Sequence, residues 1–84
     1  MAQEQTNLAE LVGVMAKALV DDPNAVEVAE FDGEGSSSVV ELKVAQPDIG
    51  KVIGKAGRTA EAMRVVLAAA STKLGRRVHL DILD

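Results

Sequence analysis

The chain has 84 residues, of which 48% are apolar, and this fits one small globular domain rather than a disordered segment. It has no cysteine, which excludes disulfides, thiolate metal sites and cysteine nucleophiles and fits a reducing compartment. A platform of several aromatic rings is also excluded, because Phe31 is the only aromatic residue. The first ten residues lack the features of a signal peptide, and no apolar run approaches the roughly 18 residues of a membrane span. We therefore expect one domain over residues 1–84, located in the cytoplasm, with no membrane contact, no metal and no cofactor.

The charges are unevenly distributed, although the net charge at pH 7 is only −4. Residues 1–42 carry nine acids and one base, whereas residues 43–84 carry eight bases and four acids. The net charges of the two halves are therefore −8 and +4. Such asymmetry is a pattern that suggests a surface facing a polyanion, but on charge alone a mixed solvated surface is the favoured interpretation.

Residues 1–24 are predicted to form a helix followed by a turn. Asn7 and Glu10 make a capping-box-like start, and Pro23 disfavours helical geometry at the residue before it. The predicted apolar stripe of this helix consists of Leu8, Leu11, Val12, Met15 and Leu19. The stripe is expected to face the core.

Residues 25–46 are predicted to form two strands, over residues 25–31 and 38–45, joined by a flexible turn. The second strand alternates regularly between apolar and polar positions, which predicts a sheet with one buried and one solvated face. The apolar positions of this strand are Val40, Leu42 and Val44.

Residues 47–75 are predicted to form two helices with a glycine turn between them. Pro47 suits the first turn of the short helix, which can last only until Gly54. The long helix is expected to run from about residue 58 to Gly75, which supplies the stop. Its predicted apolar stripe consists of Met63, Val66, Leu67, Ala70 and Leu74.

Residues 76–84 are predicted to form the last strand, in which apolar and polar residues again alternate. The apolar positions are Val78, Leu80 and Ile82, and the polar positions are Arg77, His79 and Asp81. The predicted order is therefore α-β-β-α-α-β. This order and the one-sided apolar faces predict a two-layer α/β (α+β) sandwich, in which a three-stranded sheet carries three helices on one face.

The stretch DIGKVIGKAGRTAEAM, residues 48–63, places a base directly after each of its three glycines. A phosphate-binding P-loop is rejected, because its glycine spacing is wrong and Ala56 replaces the Ser or Thr that would hold magnesium. The remaining interpretation is a G-x-x-G turn between two helices, since glycine permits unusual backbone angles and close approach. The unpaired amides at the start of the long helix favour an anion beside Lys55 and Arg58. Gly50 is expected to serve close packing in the short helix.

The segment VIGKAGRTA, residues 52–60, resembles the signature of the KH RNA-binding domain, an apolar residue followed by I-G-x-x-G. The element order resembles the type II KH arrangement. With KVIGKAGRTAEAMR and the ending GRRVHLDIL, the whole chain resembles the small bacterial single-KH proteins of the KhpA family. The resemblance implies an RNA chaperone or post-transcriptional regulator. Such a protein holds about four nucleotides of single-stranded RNA in a groove between a strand and the short helix with its turn.

By this resemblance, the residues expected to contact RNA surround the glycine turn. The backbone clamp consists of Gly54, Lys55, Ala56 and Gly57. The candidate apolar floor consists of Ile49, Val52 and Ile53, of which at least one must face the core instead. The candidate phosphate or base-edge contacts are Lys43, Lys51, Arg58 and Arg64. Ala60 stands where KH domains often have a large apolar residue, which predicts a shallow groove.

One KH groove reads about four nucleotides, so single-site affinity is expected to be weak and occupancy to depend on multivalency. The resemblance implies a homodimer, or a heterodimer with a larger KH-containing RNA-binding protein of the KhpB (Jag-like) kind. The alanine-rich face of the long helix either reflects helix propensity or permits the close approach of a second helix.

The alternative function is a protein–protein adaptor with a KH fold and little RNA binding. The net charge and Ala60 favour this alternative, whereas Lys55 and Arg58 argue against it. An enzyme is not expected, because the chain offers no cysteine, no paired carboxylates in an apolar setting and a single histidine, His79. His79 and the pair Arg76 and Arg77 are expected to be solvated.

Overall fold

The computed structural model of the protein describes residues 7–84. Within this part of the chain, three α-helices and three strands follow the predicted order. Their bounds are α1 (Leu8–Leu19), β1 (Glu27–Asp32), β2 (Ser37–Lys43), α2 (Ile49–Ile53), α3 (Arg58–Lys73) and β3 (Arg77–Ile82). The first six residues of the predicted N-terminal segment lie outside the described residues.

Helix α1 begins at the predicted cap, where the Oδ1 atom of Asn7 accepts a hydrogen bond from the backbone N–H of Glu10 at 3.1 Å. Its buried side chains are Leu8, Val12 and Ala16. Leu19 was predicted to be buried but is 37% exposed, because it turns toward a surface groove between α1 and α3. This α1–α3 groove is lined by Met15, Ala18, Leu19, Thr59, Ala62, Met63 and Val66.

The strands form a mixed sheet in the order β1-β2-β3. Strand β1 pairs antiparallel with β2 through a hairpin, whereas β3 pairs parallel with β2 and places Leu80 opposite Val40. Adjacent parallel strands need a crossover connection, and α2 and α3 supply it. Strand β1 begins two residues later than predicted, because Pro23–Ala25 form a single turn of 3-10 helix.

The three helices cover one face of the sheet, as predicted. The sheet contributes Val40, Leu42 and Leu80 to the core, with Val28, Val78 and Ile82 packed against them. The opposite side, called the open face, carries Phe31 of β1, Ser37, Val39 and Glu41 of β2, and Arg77, His79 and Asp81 of β3. The architecture is therefore the expected two-layer α+β sandwich.

Helix α3 buries a line of side chains that differs from the predicted stripe. The buried residues are Ala60, Met63, Leu67 and Ser71. Val66 and Leu74 were predicted to be buried but are 45% and 38% exposed. Two neighbouring lines on this helix satisfy the apolar spacing, and packing selects the line with the small residues Ala60 and Ser71. Val66 is left on the side that faces the α1–α3 groove.

A buried carboxylate fixes the start of α2 against the chain that follows α1. The side chain of Asp48 is almost fully buried, and its Oδ2 atom accepts a hydrogen bond from the backbone N–H of Asp22 at 3.1 Å. The Nζ atom of Lys51 lies 3.3 Å from Asp21 and 3.8 Å from Asp48. These contacts position α2, which at five residues is too short to be stable alone.

Arg76 connects two strands near the hairpin, although it was expected to be solvated. One nitrogen of its guanidinium donates to the carboxylate of Glu30 and to the buried hydroxyl of Ser38, each at 2.5 Å. The side chain thereby supplies a partner to a polar group that has almost no access to water.

The Asp48→Ala variant is expected to lower the free energy of unfolding by about 1–3 kcal/mol, because it leaves the partly buried Asp22 amide without an acceptor. The matched variant Lys51→Ala removes both ion pairs of this half-exposed lysine but keeps the hydrogen bond from Asp22 to Asp48, so its cost is expected to be smaller than that of Asp48→Ala. Urea denaturation followed by circular dichroism measures both values. Equal losses in the two variants would contradict a structural role for the buried carboxylate.

Candidate nucleic-acid interface

The residues Gly54, Lys55, Ala56 and Gly57 form the connection between α2 and α3, called the GxxG turn. The φ angles of Gly54, Ala56 and Gly57 are 80°, 57° and 74°. Positive φ angles are disfavoured for residues with a side chain, and they end α2 before α3 begins. The turn closes with a hydrogen bond from the N–H of Gly57 to the carbonyl of Gly54 at 3.1 Å.

Gly54 is required by packing as well as by its backbone angle. A Cβ atom at this position would lie 2.8 Å from the backbone nitrogen of Thr59, in the first turn of α3. Gly57 is different, because a Cβ atom there would meet no described atom within 4 Å. The Gly57 side of the turn is therefore open.

Ala56 adopts a left-handed conformation, with φ 57° and ψ 26°, without the freedom of glycine. Such a residue costs about 1 kcal/mol or more, and positions of this kind cluster at functional sites. The strain at Ala56 is an observation that points to the turn as the functional part of the molecule.

Two cations flank the start of α3. Lys55 and Arg58 are exposed, and neither side chain bonds or pairs with another residue in the described range 7–84. Gly57 is the N-cap of α3 and offers no side chain to the first amides of the helix. The positive end of the helix dipole and the two cations therefore act together on the same region of the surface.

The three predicted apolar floor residues separate into one core residue and two surface residues. Val52 is fully buried in the hydrophobic core, so it is the residue of this set that faces inward. Ile53 is 38% exposed beside the turn, and Ile49 is partly buried. The short helix therefore leaves Ile53 and part of Ile49 at the surface.

Lys43 and Ile49 come together, although six positions separate them along the chain. Both line a surface pocket of about 340 Å³, which also contacts Gln46 and Leu83. Lys43 ends β2 and is exposed, whereas Leu83 follows β3. This pocket combines an apolar wall with the cation of Lys43, the amide of Gln46 and the carboxylate of Asp84.

The remaining predicted cations, Lys51 and Arg64, already have partners. Lys51 pairs with the two aspartates described above, which offset its charge. The Nη2 atom of Arg64 donates to the carbonyl of Leu80 at 3.3 Å, which places this guanidinium over the edge of β3. Sequence spacing could not reveal Asp21 and Leu80 as partners, because these two contacts join segments distant in the chain, whereas Asp48 lies only three positions before Lys51.

Two small residues have different roles from those expected. Gly50 is exposed, and a Cβ atom there would meet no described neighbour within 4 Å, so the expected role in close packing is wrong. Ala60 is 4% exposed and belongs to the buried line of α3, so it packs in the interior of the protein.

The α1–α3 groove is a surface feature that the sequence did not predict. It has a volume of about 300 Å³, and its accessible lining is apolar. In the sequence, the apolar spacing of Leu19 and Val66 was the one indication of this groove. The same spacing is also typical of side chains buried in the core. Among residues 7–84, no helix is long and apolar enough to cross a membrane, and no three acidic or histidine side chains form a metal-binding group.

Comparison with known proteins places the chain in a family. Residues 9–82 match the family model of the KhpA/KhpB KH domain. The RNA-binding protein KhpA of Halalkalibacterium halodurans is 57% identical over 74 residues, which cover 88% of this chain and 96% of that protein. The RNA-binding protein KhpA of Caldanaerobacter subterraneus subsp. tengcongensis is 53% identical over 76 residues, which cover 90% of this chain and all of that protein.

A solved structure supports the fold independently of sequence. The chain superposes on Era in complex with MgGDPNP and nucleotides 1506–1542 of 16S ribosomal RNA, with a TM-score of 0.59 and 19% identity. The match covers 98% of this chain and 35% of the Era chain. The fold, the G-x-x-G turn and the sequence identity agree, and the chain belongs to the KhpA family of KH-domain proteins.

Proposed function

We propose that this protein binds single-stranded RNA and holds its phosphate backbone at the GxxG turn. The observation that carries the proposal is the open Gly57 side of the turn, flanked by the unengaged cations Lys55 and Arg58 at the start of α3. Relatives that match the chain over most of its length are named RNA-binding proteins, which favours this function over a protein–protein adaptor.

The proposed contacts are of two kinds, contacts to the phosphate backbone that position the RNA and contacts to its bases. Lys55, Arg58 and the first amides of α3 bind phosphate oxygens, and the lack of a side chain at Gly57 lets the backbone approach. The bases lie against Ile49 and Ile53, and the Lys43 pocket receives a base edge. A module of this type holds about four nucleotides and performs no chemistry on them.

Weak binding at one short site suits an RNA chaperone or a post-transcriptional regulator, which must release its RNA. Useful occupancy then requires a second binding site on a partner. The partner is a second copy of the chain or a larger KH-containing protein of the KhpB kind, and both would act in the cytoplasm, where a cysteine-free chain needs no oxidation.

The α1–α3 groove supports such a partnership. Leu19 and Val66 expose apolar surface on its two sides, and Ala18 and Ala62 leave room for a helix of the partner to approach closely. Burial of this apolar surface would favour association. The groove is lined by residues of α1 and α3 and by none of the GxxG residues, so a partner leaves the RNA contacts accessible.

The double variant Lys55→Asp, Ala56→Asp is expected to weaken RNA binding at least about tenfold, since it removes one charge-assisted contact and adds two repulsive charges. Aspartate tolerates the left-handed angles at position 56, so the fold should persist. Fluorescence anisotropy with labelled RNA measures affinity, circular dichroism checks the fold, and Lys17→Asp on α1 is the control for a changed charge. Undiminished binding in the double variant would overturn the assignment of the turn.

RNA binding should also weaken as the salt concentration rises. Each lysine or arginine that contacts a phosphate releases counterions from the RNA, and added salt opposes this release. Two phosphate contacts, through Lys55 and Arg58, predict a slope of about −1.4 in a plot of log affinity against log salt concentration. Arg58→Ala should reduce the slope by about 0.7, whereas Lys17→Ala should not change it. Affinity that does not respond to salt would show that these cations lie away from the interface.

Val66→Asp is expected to disrupt association through the α1–α3 groove, because it places a charge against the apolar surface of the partner. Val65→Asp is the matched control, since Val65 is 59% exposed but does not line the groove. Light scattering measures the mass of the chain alone and mixed with a KhpB protein. Association that survives Val66→Asp as well as it survives Val65→Asp would contradict this surface assignment.

A further inference from the structure

We propose that the RNA path continues beyond the GxxG turn, along the outer edge of β3 and onto the open face, where His79 and Arg77 form a second RNA subsite. The inference rests on the proposed function and extends it, because it lengthens the bound RNA past the four nucleotides of one KH groove.

Two adjoining pockets that share His79 mark this path. The first is a cavity of about 250 Å³ between α3 and β3, with Arg64 and Leu80 in its lining. The second has a volume of about 400 Å³ and lies on the open face, where Arg77 and Ser37 line it. Since β3 is at the edge of the sheet, His79 connects the helical side of the molecule to the open face.

The side chains along this path have the chemistry that single-stranded RNA needs. Arg64 donates one hydrogen bond to Leu80, and the guanidinium carries four further N–H donors that can bind phosphate. Arg77 and His79 are exposed, and neither side chain bonds to another residue in the described range. Imidazole and guanidinium planes both stack on unpaired bases, so the subsite can hold a base as well as a phosphate.

The geometry sets the length of RNA that the path requires. Helix α3 has 16 residues and is therefore about 24 Å long. Arg58 lies at its start, whereas Arg77 follows its end by a short turn. At about 3.4 Å per nucleotide, a stacked strand of four nucleotides covers about 14 Å, which is shorter than α3. Simultaneous contact with the GxxG turn and the second subsite therefore favours a strand of more than four nucleotides.

Acidic residues limit the path on the open face. Asp81 lies two positions beyond His79 on β3, and Glu41 lies beside Asp81 on β2. Their carboxylates repel phosphate from that half of the face, so the strand is directed toward Arg77 and the hairpin. Glu34 is the one acid that lines the Arg77 pocket, and its carboxylate opposes binding there.

The test measures how the affinity for labelled oligouridines of about four and about twelve nucleotides depends on salt concentration. The slope of log affinity against log salt concentration reports the number of phosphate contacts. A longer RNA can bind at more positions along its length, which raises its affinity but does not change this slope. For the unaltered protein, the slope should be steeper by about 0.7 or more on the longer RNA. Arg77→Ala combined with His79→Ala should remove this increment and leave binding of the short RNA unchanged.

Lys17→Ala is the matched control, since it removes one positive charge from α1 and should preserve the increment. Glu34→Gln should act in the opposite direction and tighten binding of the longer RNA by about two- to threefold. Equal slopes on the two RNAs in the unaltered protein, or an increment that survives the double variant, would overturn the second subsite. Failure of the short RNA to bind would instead overturn the proposed clamp at the GxxG turn.

Discussion

The site depends on one close approach, between the backbone of Gly54 and the first turn of α3. Only a residue without a side chain fits at this distance from the Thr59 amide. The contact brings the end of α2 beside the start of α3, so that the helix amides, Lys55 and Arg58 face the same region of solvent. The same two helices form the crossover that lets β3 pair parallel with β2, so the turn shapes the sheet as well as the surface.

Tertiary contacts hold the short helix in place and thereby order the site before RNA arrives. A helix of five residues has no stability of its own, and α2 is fixed by the buried Val52 and the buried carboxylate of Asp48. These contacts hold Ile49 and Ile53 at the surface. Because the backbone of α2 is already ordered, the entropy that still opposes binding comes mainly from flexible side chains such as Lys55 and Arg58.

Local patterns in the sequence predicted the element order, the buried faces of β2 and β3, the cap at Asn7 and the glycine turn. Each of these features follows from neighbouring residues, through periodicity or backbone freedom. The contacts of Lys51 with Asp21, of Arg64 with Leu80 and of Arg76 with Glu30 could not be predicted in this way, since each joins distant segments. The exposure of Val66 could not be predicted either, because two lines on α3 are equally apolar and only packing chooses between them.

Two residues in and near the GxxG turn, Gly50 and Ala56, lower the stability of the fold. Gly50 lies in a helix where alanine would fit without contact, and glycine there lowers stability by about 0.5–1 kcal/mol. Ala56 holds a left-handed angle that glycine would adopt freely. Both positions could be made more stable by exchanging these two residue types, so stability is not what is optimised in this segment. A more stable version of the protein could therefore start from Gly50→Ala, which leaves the GxxG turn unchanged.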